Sequence, residues 1–326
     1  MDHWTRISQI DSEEHFAQIA LEVFRFQHEH NPVYRSFCDL LYVHPSEIRS
    51  IDKIPFLPIQ FFKTHMVLSS KETIEVEFKS SGTSGQERST HYVTDLELYK
   101  KSFVNGFKHF YGPINDFAIL ALLPSYLERQ GSSLVYMVDH MISLSTHAES
   151  GFFLNDIDKL ATVLNELDKN GKRVLLLGVS FALLDLVEKH QFNLKNTIIM
   201  ETGGMKGRRQ ELIREDLHKI LKSGFDVENI HSEYGMTELL SQAYSKGKGR
   251  FQTPPWMKVL TRDSEDPFYI LPAGSSGGIN IIDLANLHSC AFIATQDLGK
   301  IYPDGSFEVL GRFDHSDIRG CNLMTL

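Results

Sequence analysis

Cysteine is scarce in this sequence and forms no recognisable cluster. The 326 residues include three cysteines, Cys38, Cys290 and Cys321, which lie far apart and belong to no CxxC or Cys/His pattern. Disulfide frameworks and structural zinc sites both need such patterns of closely spaced ligands. The sequence therefore excludes a fold that depends on disulfides or on a structural metal.

Long apolar runs and an excess of basic residues are also missing. No stretch reaches the roughly 20 apolar residues of a membrane span, and residues 1–10 lack the basic and apolar regions of a signal peptide. The 33 lysines and arginines are outnumbered by 42 acidic residues, which gives a net charge of −9. Because such a surface repels phosphate backbones, we expect no nucleic-acid partner. The lack of a signal peptide and of a membrane span leads us to expect a cytoplasmic protein.

What the sequence does contain is an alternation of helical and strand patterns. Apolar residues at helical spacing predict a helix over 12–30, and period-two alternation predicts a strand over 73–78. The elements predicted next are a helix over 95–110, a strand over 117–123, helices over 131–145 and 156–168, a strand over 173–177, a helix over 181–189, a strand over 197–200 and a helix over 207–221. This order favours an α/β fold with a mainly parallel sheet and helices on its faces.

The pattern changes near residue 250. Short strands separated by proline and glycine turns follow, with a clear hairpin turn over 303–306. A length of 326 residues suits about two domains. We therefore predict a helical and α/β region over 1–250 and a β-rich subdomain over 251–326.

A loop of small residues follows the strand predicted over 73–78, and it consists of Ser80, Ser81, Gly82, Thr83, Ser84 and Gly85. Its glycines let backbone N–H groups approach an anion, and its hydroxyls add donors that suit phosphate oxygens. It lacks the Gly-Lys-Ser/Thr ending of a Walker A loop. The loop is a candidate phosphate site, with an ordinary surface loop as the alternative.

Gly203 and Gly204 form a second candidate, between a predicted strand and a predicted helix. Their spacing does not fit the Gly-x-Gly-x-x-Gly fingerprint, which argues against a dinucleotide site. They do expose backbone at the carboxyl end of a strand, where open α/β sheets bind ligands. A plain turn would explain the two glycines equally well.

The third candidate is the run Tyr234, Gly235, Met236, Thr237 and Glu238. An aromatic face can stack on a base, a hydroxyl can donate to a phosphate, and a carboxylate can hold a hard cation such as Mg²⁺. The alternative is an ordinary turn in which Thr237 or Glu238 starts a helix.

Two charged residues further along could bind a sugar. Asp297 can accept hydrogen bonds from both hydroxyls of a ribose, and Arg312 can donate to sugar or phosphate oxygens. Both residue types are also common on solvated turns, so the order of all these segments matters more than any one of them.

In this order and at this spacing, the segments resemble the motifs of the adenylate-forming superfamily of acyl and aryl ligases over residues 70–320. The resemblance implies that ATP and Mg²⁺ are the cofactors. It further implies that the loop 80–85 holds the β- and γ-phosphates and that Gly203 and Gly204 lie along the adenine. In the run 234–238, the resemblance implies that Tyr234, before Gly235, stacks on the adenine, that Thr237 contacts the α-phosphate and that Glu238 binds Mg²⁺. It implies that Asp297 contacts the ribose and that Arg312 contacts the ribose or a phosphate.

Two departures point to one branch of that superfamily. Gln86-Glu87-Arg88 replaces the usual Gly-x-Pro-Lys end of the phosphate loop, and the sequence printed here stops at Leu326, where other members continue into a small domain with a catalytic lysine. The acyl-protein synthetases of the fatty acid reductase system in luminous bacteria are short in this way. They pass the acyl group to a cysteine near the carboxyl terminus, and Cys321 is placed to match it.

The resemblance implies the large N-terminal domain of the adenylate-forming fold, with mixed, mainly parallel sheets, flanking helices and a β-rich C-terminal subdomain, and without the small C-terminal domain. It implies that a fatty or other carboxylic acid becomes an acyl-adenylate and then a thioester, with Cys321 as nucleophile and Thr237 and Glu238 as catalytic residues. An acyl reductase or acyl carrier is the implied partner. Two alternatives stay open, namely a ligase that delivers to coenzyme A and a nucleotide-binding scaffold that has lost catalysis.

Overall fold

The computed structural model describes residues 2–81, 87–123, 131–203 and 212–313. Six of the candidate site residues lie outside these ranges, and their roles rest on the sequence: Gly82, Thr83, Ser84, Gly85, Gly204 and Cys321. Within the described ranges, no helix is long and apolar enough to cross a membrane.

The helices lie mostly where the periodicity predicts them. Ser12, Asp95 and Asp156 cap three of them by accepting a hydrogen bond from a backbone N–H three residues later. The helices are α1 (His3–Ser8), α2 (Glu13–His30), α3 (Pro32–Leu40), α4 (Phe61–Thr64), α5 (Leu96–Tyr111), α6 (Ser133–Leu144), α7 (Ile157–Lys169), α8 (Ser180–Lys189) and α9 (Arg214–Phe225), with 3₁₀ turns at Ile51–Lys53 and Ile114–Asp116.

The strands form one large sheet and one separate hairpin. They are β1 (Leu57–Pro58), β2 (Val76–Lys79), β3 (Thr90–Val93), β4 (Ala118–Leu122), β5 (Gly151–Phe152), β6 (Val174–Val179), β7 (Thr197–Thr202), β8 (His231–Tyr234), β9 (Ala243–Ser245), β10 (Phe251–Gln252), β11 (Met257–Arg262), β12 (Ser276–Asp283), β13 (Phe292–Ile301) and β14 (Phe307–Arg312). The large sheet has the order β11-β12-β13-β14-β10-β9-β8-β7-β6-β4-β5, with β1 beside β13, and β2 pairs with β3.

The large sheet is parallel in one half and antiparallel in the other. Strands β5, β4, β6, β7 and β8 pair in parallel with one another, and from β8 through β9 to β11 the successive strands of the sheet pair antiparallel. Helices join the parallel strands, as the right-handed βαβ crossover requires. The predicted α/β class is confirmed, with a mixed sheet whose first half is parallel, flanking helices and a later β-rich chain.

The parallel half is deeply buried at strands β4 and β6 and sets the position of the site. Every residue of β4 and β6 is buried, as expected for parallel strands covered on both faces. The register pairs Thr202 of β7 with Glu233 of β8. The carboxyl ends of these two strands therefore lie side by side, and Gly203 and Tyr234 come together there.

Two predicted boundaries were wrong. The strand predicted over 73–78 spans Val76–Lys79, because its partner β3 ends at Val93 before the chain turns into α5. Of the helix predicted over 207–221, residues 207–211 lie outside the described ranges, and α9 begins at Arg214 because Ile213 has extended backbone angles of φ −63° and ψ 150°. The division at residue 250 stays a prediction, and the sheet itself continues across that position through β9 and β10.

Candidate active site

A hydrogen-bonded chain joins three of the residues singled out in the sequence. Tyr234, at the end of β8, donates its hydroxyl to Asp297 Oδ2 at 2.8 Å, and Arg312 Nε donates to Asp297 Oδ1 at 3.0 Å. Asp297 and Arg312 face each other across the β13–β14 ladder. The Asp297 carboxylate is 8% exposed and the Arg312 side chain 81% exposed, so the chain of contacts leads from the protein interior to solvent.

The Tyr234 ring is held by two other aromatic rings. Phe251 and Phe307 contact it edge-on, with centroids 5.9 and 5.6 Å away. Burial, with the neighbouring Asp297 carboxylate, raises the pKa of Tyr234 well above its usual value, so the hydroxyl stays protonated and donates. Because the residue as a whole is only half-buried, part of its surface is open to a ligand.

Gly203 follows β7 in a conformation that favours glycine. Its φ of +66° lies in the left-handed region, and the residue is exposed. The Ser180 hydroxyl donates to its carbonyl oxygen at 2.8 Å, and the Thr202 hydroxyl beside it donates to the Glu233 carboxylate. These bonds fix the turn next to Tyr234, as the strand register requires.

Gly235 lies against the same carboxylate. A Cβ added there would be 2.6 Å from Glu233 Oε1, closer than a carbon and an oxygen can approach. Beyond it the chain forms a turn and not a helix, so the alternative in which Thr237 or Glu238 starts a helix was wrong. The turn places the Glu238 side chain in the interior, at 5% exposed.

Glu238 connects the turn to the base of the candidate phosphate loop. Burial raises the pKa of its carboxyl, while hydrogen bonding from the Ser89 side chain and the charges of Arg312 and Lys63 act in the opposite direction. Ser80 and Ser89 bond to each other where the loop leaves the hairpin, through Ser80 N to Ser89 O and Ser89 N to Ser80 Oγ, both at 3.0 Å. Ser81, the next residue, is exposed.

The donor set around Glu238 fits Mg²⁺ better than a transition metal. Among the described residues, no group of three or more histidine, cysteine, aspartate or glutamate side chains could hold a metal ion. Mg²⁺ at nucleotide sites commonly takes one or two carboxylates, with phosphate oxygens and water as its other ligands. A single buried carboxylate at the base of a phosphate loop is consistent with that pattern.

Sequence reasoning missed two residues that support this turn. Ser89 interacts with the Glu238 carboxyl, and His91 contacts the Thr237 carbonyl oxygen through Nδ1 at 2.8 Å. Both are buried, and they occupy alternate positions just after the candidate loop. That period-two pattern next to a ligand loop was the available signal, since alternate strand residues share a face.

Cys38 and Cys290 lie in the core, each with 0% exposure. Burial raises the pKa of Cys38 to about 12 and raises that of Cys290 further above its usual value. A thiol in such surroundings is not a nucleophile at neutral pH, because the thiolate is the reactive form.

The comparisons with known sequences agree on one family. A family model for "Acyl-protein synthetase, LuxE" matches residues 5–325. The chain is similar to the long-chain-fatty-acid–luciferin-component ligase of Vibrio harveyi, with 24% identity over 322 residues that cover 92% of this chain and 84% of that protein. It is also similar to the protein of the same name from Photorhabdus luminescens, at 38% identity over 69 residues, or 21% of this chain and 59% of that one.

Solved structures share the fold. ATP-bound MatB from Rhodopseudomonas palustris aligns with a TM-score of 0.57 at 17% identity, covering 74% of this chain and 49% of that chain, so this chain spans about half its length. A 2-hydroxyisobutyryl-CoA ligase in complex with 2-HIB-AMP and CoA aligns with a TM-score of 0.67 at 12% identity, covering 95% and 71%. Since the family model covers nearly the whole sequence, this chain belongs to the LuxE acyl-protein synthetase family and is an acid–thiol ligase that activates an acyl group with ATP and transfers it.

Proposed function

We propose that this chain activates a long-chain fatty acid with MgATP and then carries the acyl group as a thioester on Cys321. The observation that carries the proposal is the hydrogen-bonded chain from Tyr234 through Asp297 to Arg312 at the edge where β7 and β8 end. The printed name of the Vibrio harveyi relative, which specifies a long-chain fatty acid, supports the substrate class.

In the proposed complex the adenine stacks on Tyr234 and lies along Gly203 and Gly204. Asp297 accepts the ribose hydroxyls, which its carboxylate can do beside its present donors because each carboxylate oxygen has two lone pairs. Arg312 adds a contact to the ribose or a phosphate. The loop from Ser80 to Gly85 donates backbone N–H groups and hydroxyls to the β- and γ-phosphates.

The first step joins the acid to AMP. The fatty acid carboxylate attacks the α-phosphorus of ATP, the bond to the bridging oxygen of pyrophosphate breaks, and an acyl-adenylate forms. Thr237 donates its hydroxyl to the α-phosphate and orients it for this attack. Glu238 is the residue that would hold Mg²⁺, which when bound neutralises phosphate charge.

The second step transfers the acyl group to sulfur. The Cys321 thiolate attacks the acyl carbonyl carbon, the carbon–oxygen bond to phosphate breaks, and AMP leaves. Arg319, two residues before Cys321 in the sequence, would stabilise the thiolate. Burial of Cys38 and Cys290, the other two cysteines, supports Cys321 as the acceptor.

The first test is self-acylation without coenzyme A. The protein is incubated with ATP, Mg²⁺ and labelled fatty acids of short, medium and long chain. We expect a hydroxylamine-sensitive label on the protein that is strongest with long chains. The label is lost in Cys321→Ser and kept in Cys290→Ala and Cys38→Ala. A label that appears only when coenzyme A is added would favour a CoA ligase, and a label kept in Cys321→Ser would exclude this acceptor.

The second test is carboxylate-dependent exchange of labelled pyrophosphate into ATP across the same acids. Exchange measures the first step alone, so it reports activation even if the thioester is short-lived. We expect exchange that depends on Mg²⁺ and on the acid. ATP binding without exchange for any acid would favour the scaffold alternative.

The thioester needs an acceptor that releases the acyl group. We infer that an acyl reductase or an acyl carrier in the cytoplasm collects it, in keeping with a relative named for a luciferin component. The measurement is loss of label from the acylated protein on addition of a candidate reductase with its reductant. Label that stays on Cys321 with every acceptor tested would contradict this partner class.

A further inference from the structure

A buried polar pair, His91 and Asn286, lies behind the turn that contains Thr237 and Glu238. Both side chains are 1% exposed. His91 belongs to β3 and Asn286 follows β12, so the pair joins the separate hairpin to the large sheet. Asn286 Oδ1 is 3.1 Å from His91 Nε2.

The pair binds two consecutive carbonyl groups of the turn. His91 Nδ1 lies 2.8 Å from Thr237 O, and Asn286 Nδ2 donates to Glu238 O at 2.8 Å. Asn286 Nδ2 also donates to Cys290 O at 2.9 Å. Because both amide protons go to carbonyl oxygens, the Oδ1 of Asn286 must face His91.

This orientation leaves both His91 nitrogens facing oxygen acceptors. Burial lowers the pKa of His91 to about 4, so its ring is neutral at pH 7 and carries one N–H group. The shorter contact, to Thr237 O, assigns that proton to Nδ1. The Nε2 contact to Asn286 then lacks a proton, and such a mismatch in the interior is more typical of functional sites than of well-satisfied cores.

The same strand reaches the Glu238 carboxyl. The Ser89 side chain, two residues before His91, acts to lower the pKa of that carboxyl, and Ser80 pairs with Ser89 at the base of the candidate phosphate loop. Ser89, just before β3, and His91, within β3, therefore act on the Glu238 side chain and the Thr237 backbone. The hairpin that presents the loop thus also holds the candidate metal ligand.

The other side of the pair is anchored to the N-terminal helix α2. Gln27 Nε2 donates to Asn286 O at 2.9 Å and to Leu287 O at 2.8 Å, and its Oε1 accepts from Ala291 N at 2.9 Å. Gln27 is 0% exposed. Asn286 is therefore fixed through its backbone while its side chain holds the turn.

We propose that His91 and Asn286 are positioning residues that hold the backbone of Thr237 and Glu238, so that the Glu238 carboxylate can bind Mg²⁺ together with ATP. The proposal rests on the proposed function, since it assumes that Glu238 binds Mg²⁺ with ATP. The pair acts through the backbone of Thr237 and Glu238 and contacts neither substrate.

The experiment compares two conservative substitutions. His91→Asn places an amide near the Nδ1 position and keeps a donor for Thr237 O, whereas His91→Gln places its amide near Nε2 and loses that donor. ATP binding is measured by calorimetry with and without Mg²⁺. We expect His91→Gln to weaken Mg²⁺-dependent binding about tenfold, as outer-shell partners of metal ligands do, with binding in the absence of Mg²⁺ unchanged. His91→Asn stays within about threefold of the unmodified protein.

Tyr34→Phe is the control for a merely structural effect. It removes another buried side-chain bond to a backbone carbonyl, from Tyr34 to Pro55 O at 2.6 Å, away from the turn. We expect it to lower the urea midpoint without altering Mg²⁺-dependent binding. If His91→Gln does the same, or if His91→Asn and His91→Gln behave alike, the positioning role is overturned.

Failure of the proposed function would look different. An unmodified protein that binds no MgATP would overturn the proposed function and this inference with it. Normal MgATP binding in all His91 variants would overturn only the inference.

Pyrophosphate exchange gives a second readout. In His91→Gln we expect the KM for the acid to stay within about twofold, while the Mg²⁺ concentration needed for half-maximal exchange rises.

Discussion

Asp297 shows how much one side chain contributes to the candidate site. It accepts from the Tyr234 hydroxyl and from Arg312, and only 6% of its surface is exposed. A buried carboxylate needs such partners, because burying a charge without them is costly. Tyr234 therefore has two separable parts, a hydroxyl that satisfies Asp297 and a ring that is available for stacking.

Substitutions of Tyr234 can separate these two parts. Tyr234→Ala removes the ring, and we expect it to weaken ATP binding by roughly 1–3 kcal/mol, the usual contribution of an aromatic platform under a base. Tyr234→Phe keeps the ring and should cost about 1 kcal/mol or less, since only the bond to Asp297 is lost. Calorimetric ATP titration measures both. Equal losses in the two variants would show that the hydroxyl is the part that matters.

The ionised Glu238 carboxylate is needed for the proposed Mg²⁺ site, but its ionisation lowers the free energy of unfolding. Since burial raises the pKa of its carboxyl, the folded protein binds this proton more tightly than the unfolded chain does. Its contribution to the free energy of unfolding therefore falls as pH rises from the unfolded pKa through the raised folded pKa. Glu238→Gln should raise the free energy of unfolding at pH 7 by about 1 kcal/mol and abolish Mg²⁺-dependent pyrophosphate exchange.

Urea unfolding at several pH values between 4 and 8 checks this expectation. Glu265→Gln, at an exposed position, is the matched control for loss of one negative charge. The control should change the unfolding free energy by less than about 0.5 kcal/mol. A Glu238→Gln variant that is destabilised at every pH would mean that the ionised carboxylate stabilises the turn.

At the scale of elements, the layer beneath the site depends on close contact between α8 and α9. A Cβ at Gly224 of α9 would be 2.4 Å from Val187 Cβ of α8. Helix α8 packs against β6 and β7, and Ser180 at its start holds the Gly203 carbonyl. A small residue at 224 therefore matters to the turn at Gly203, although the two are far apart in sequence.

Two helical glycines provide a matched pair of substitutions. Gly224→Ala should lower the free energy of unfolding by about 1–3 kcal/mol, because the methyl group overlaps Val187 and the helices must separate. In Gly106→Ala of α5 the added methyl group would have Trp256 3.9 Å away, and the substitution should raise the free energy of unfolding by about 0.5–1 kcal/mol through helix propensity. Urea denaturation compares the two. Similar stabilisation in both would contradict the tight packing of α8 on α9.

For the whole molecule, the main feature is a sheet that continues through residue 250. Strands β8, β9, β10 and β14 pair in succession, so hydrogen bonds join segments on both sides of that position. The N-terminal helices also pack against the later chain, with the rings of Trp4 and Trp256 5.0 Å apart. We therefore expect 1–250 and 251–326 to unfold together.

Unfolding transitions that coincide in two different signals would confirm that the two regions unfold together. The two tryptophans form one contact pair, so tryptophan fluorescence reports the junction between α1 and the chain before β11. Far-ultraviolet circular dichroism reports the helices and strands of the whole chain. A single urea midpoint in both signals is the expected result, and two separate midpoints would support independently folding domains.

The fold class and the motif residues were accessible to sequence reasoning because they depend on local patterns. The alternation over 117–200 predicted β4, α6, α7, β6, α8 and β7, and the turn over 303–306 predicted the β13–β14 hairpin. The start of α9 was missed because the extended backbone of Ile213 is not encoded by apolar periodicity. The roles of the residues outside the described ranges stay predictions.

The sequence by itself determined which residues can form helices and strands, which side chains can bind a nucleotide, and which family the order of motifs resembles. Only the tertiary structure decided that Asp297 binds Tyr234 and Arg312, and that Ser89, His91 and Asn286 hold the turn with Glu238. Those contacts join residues far apart in the chain. Strand register and burial bring them together, and neither can be read from local spacing.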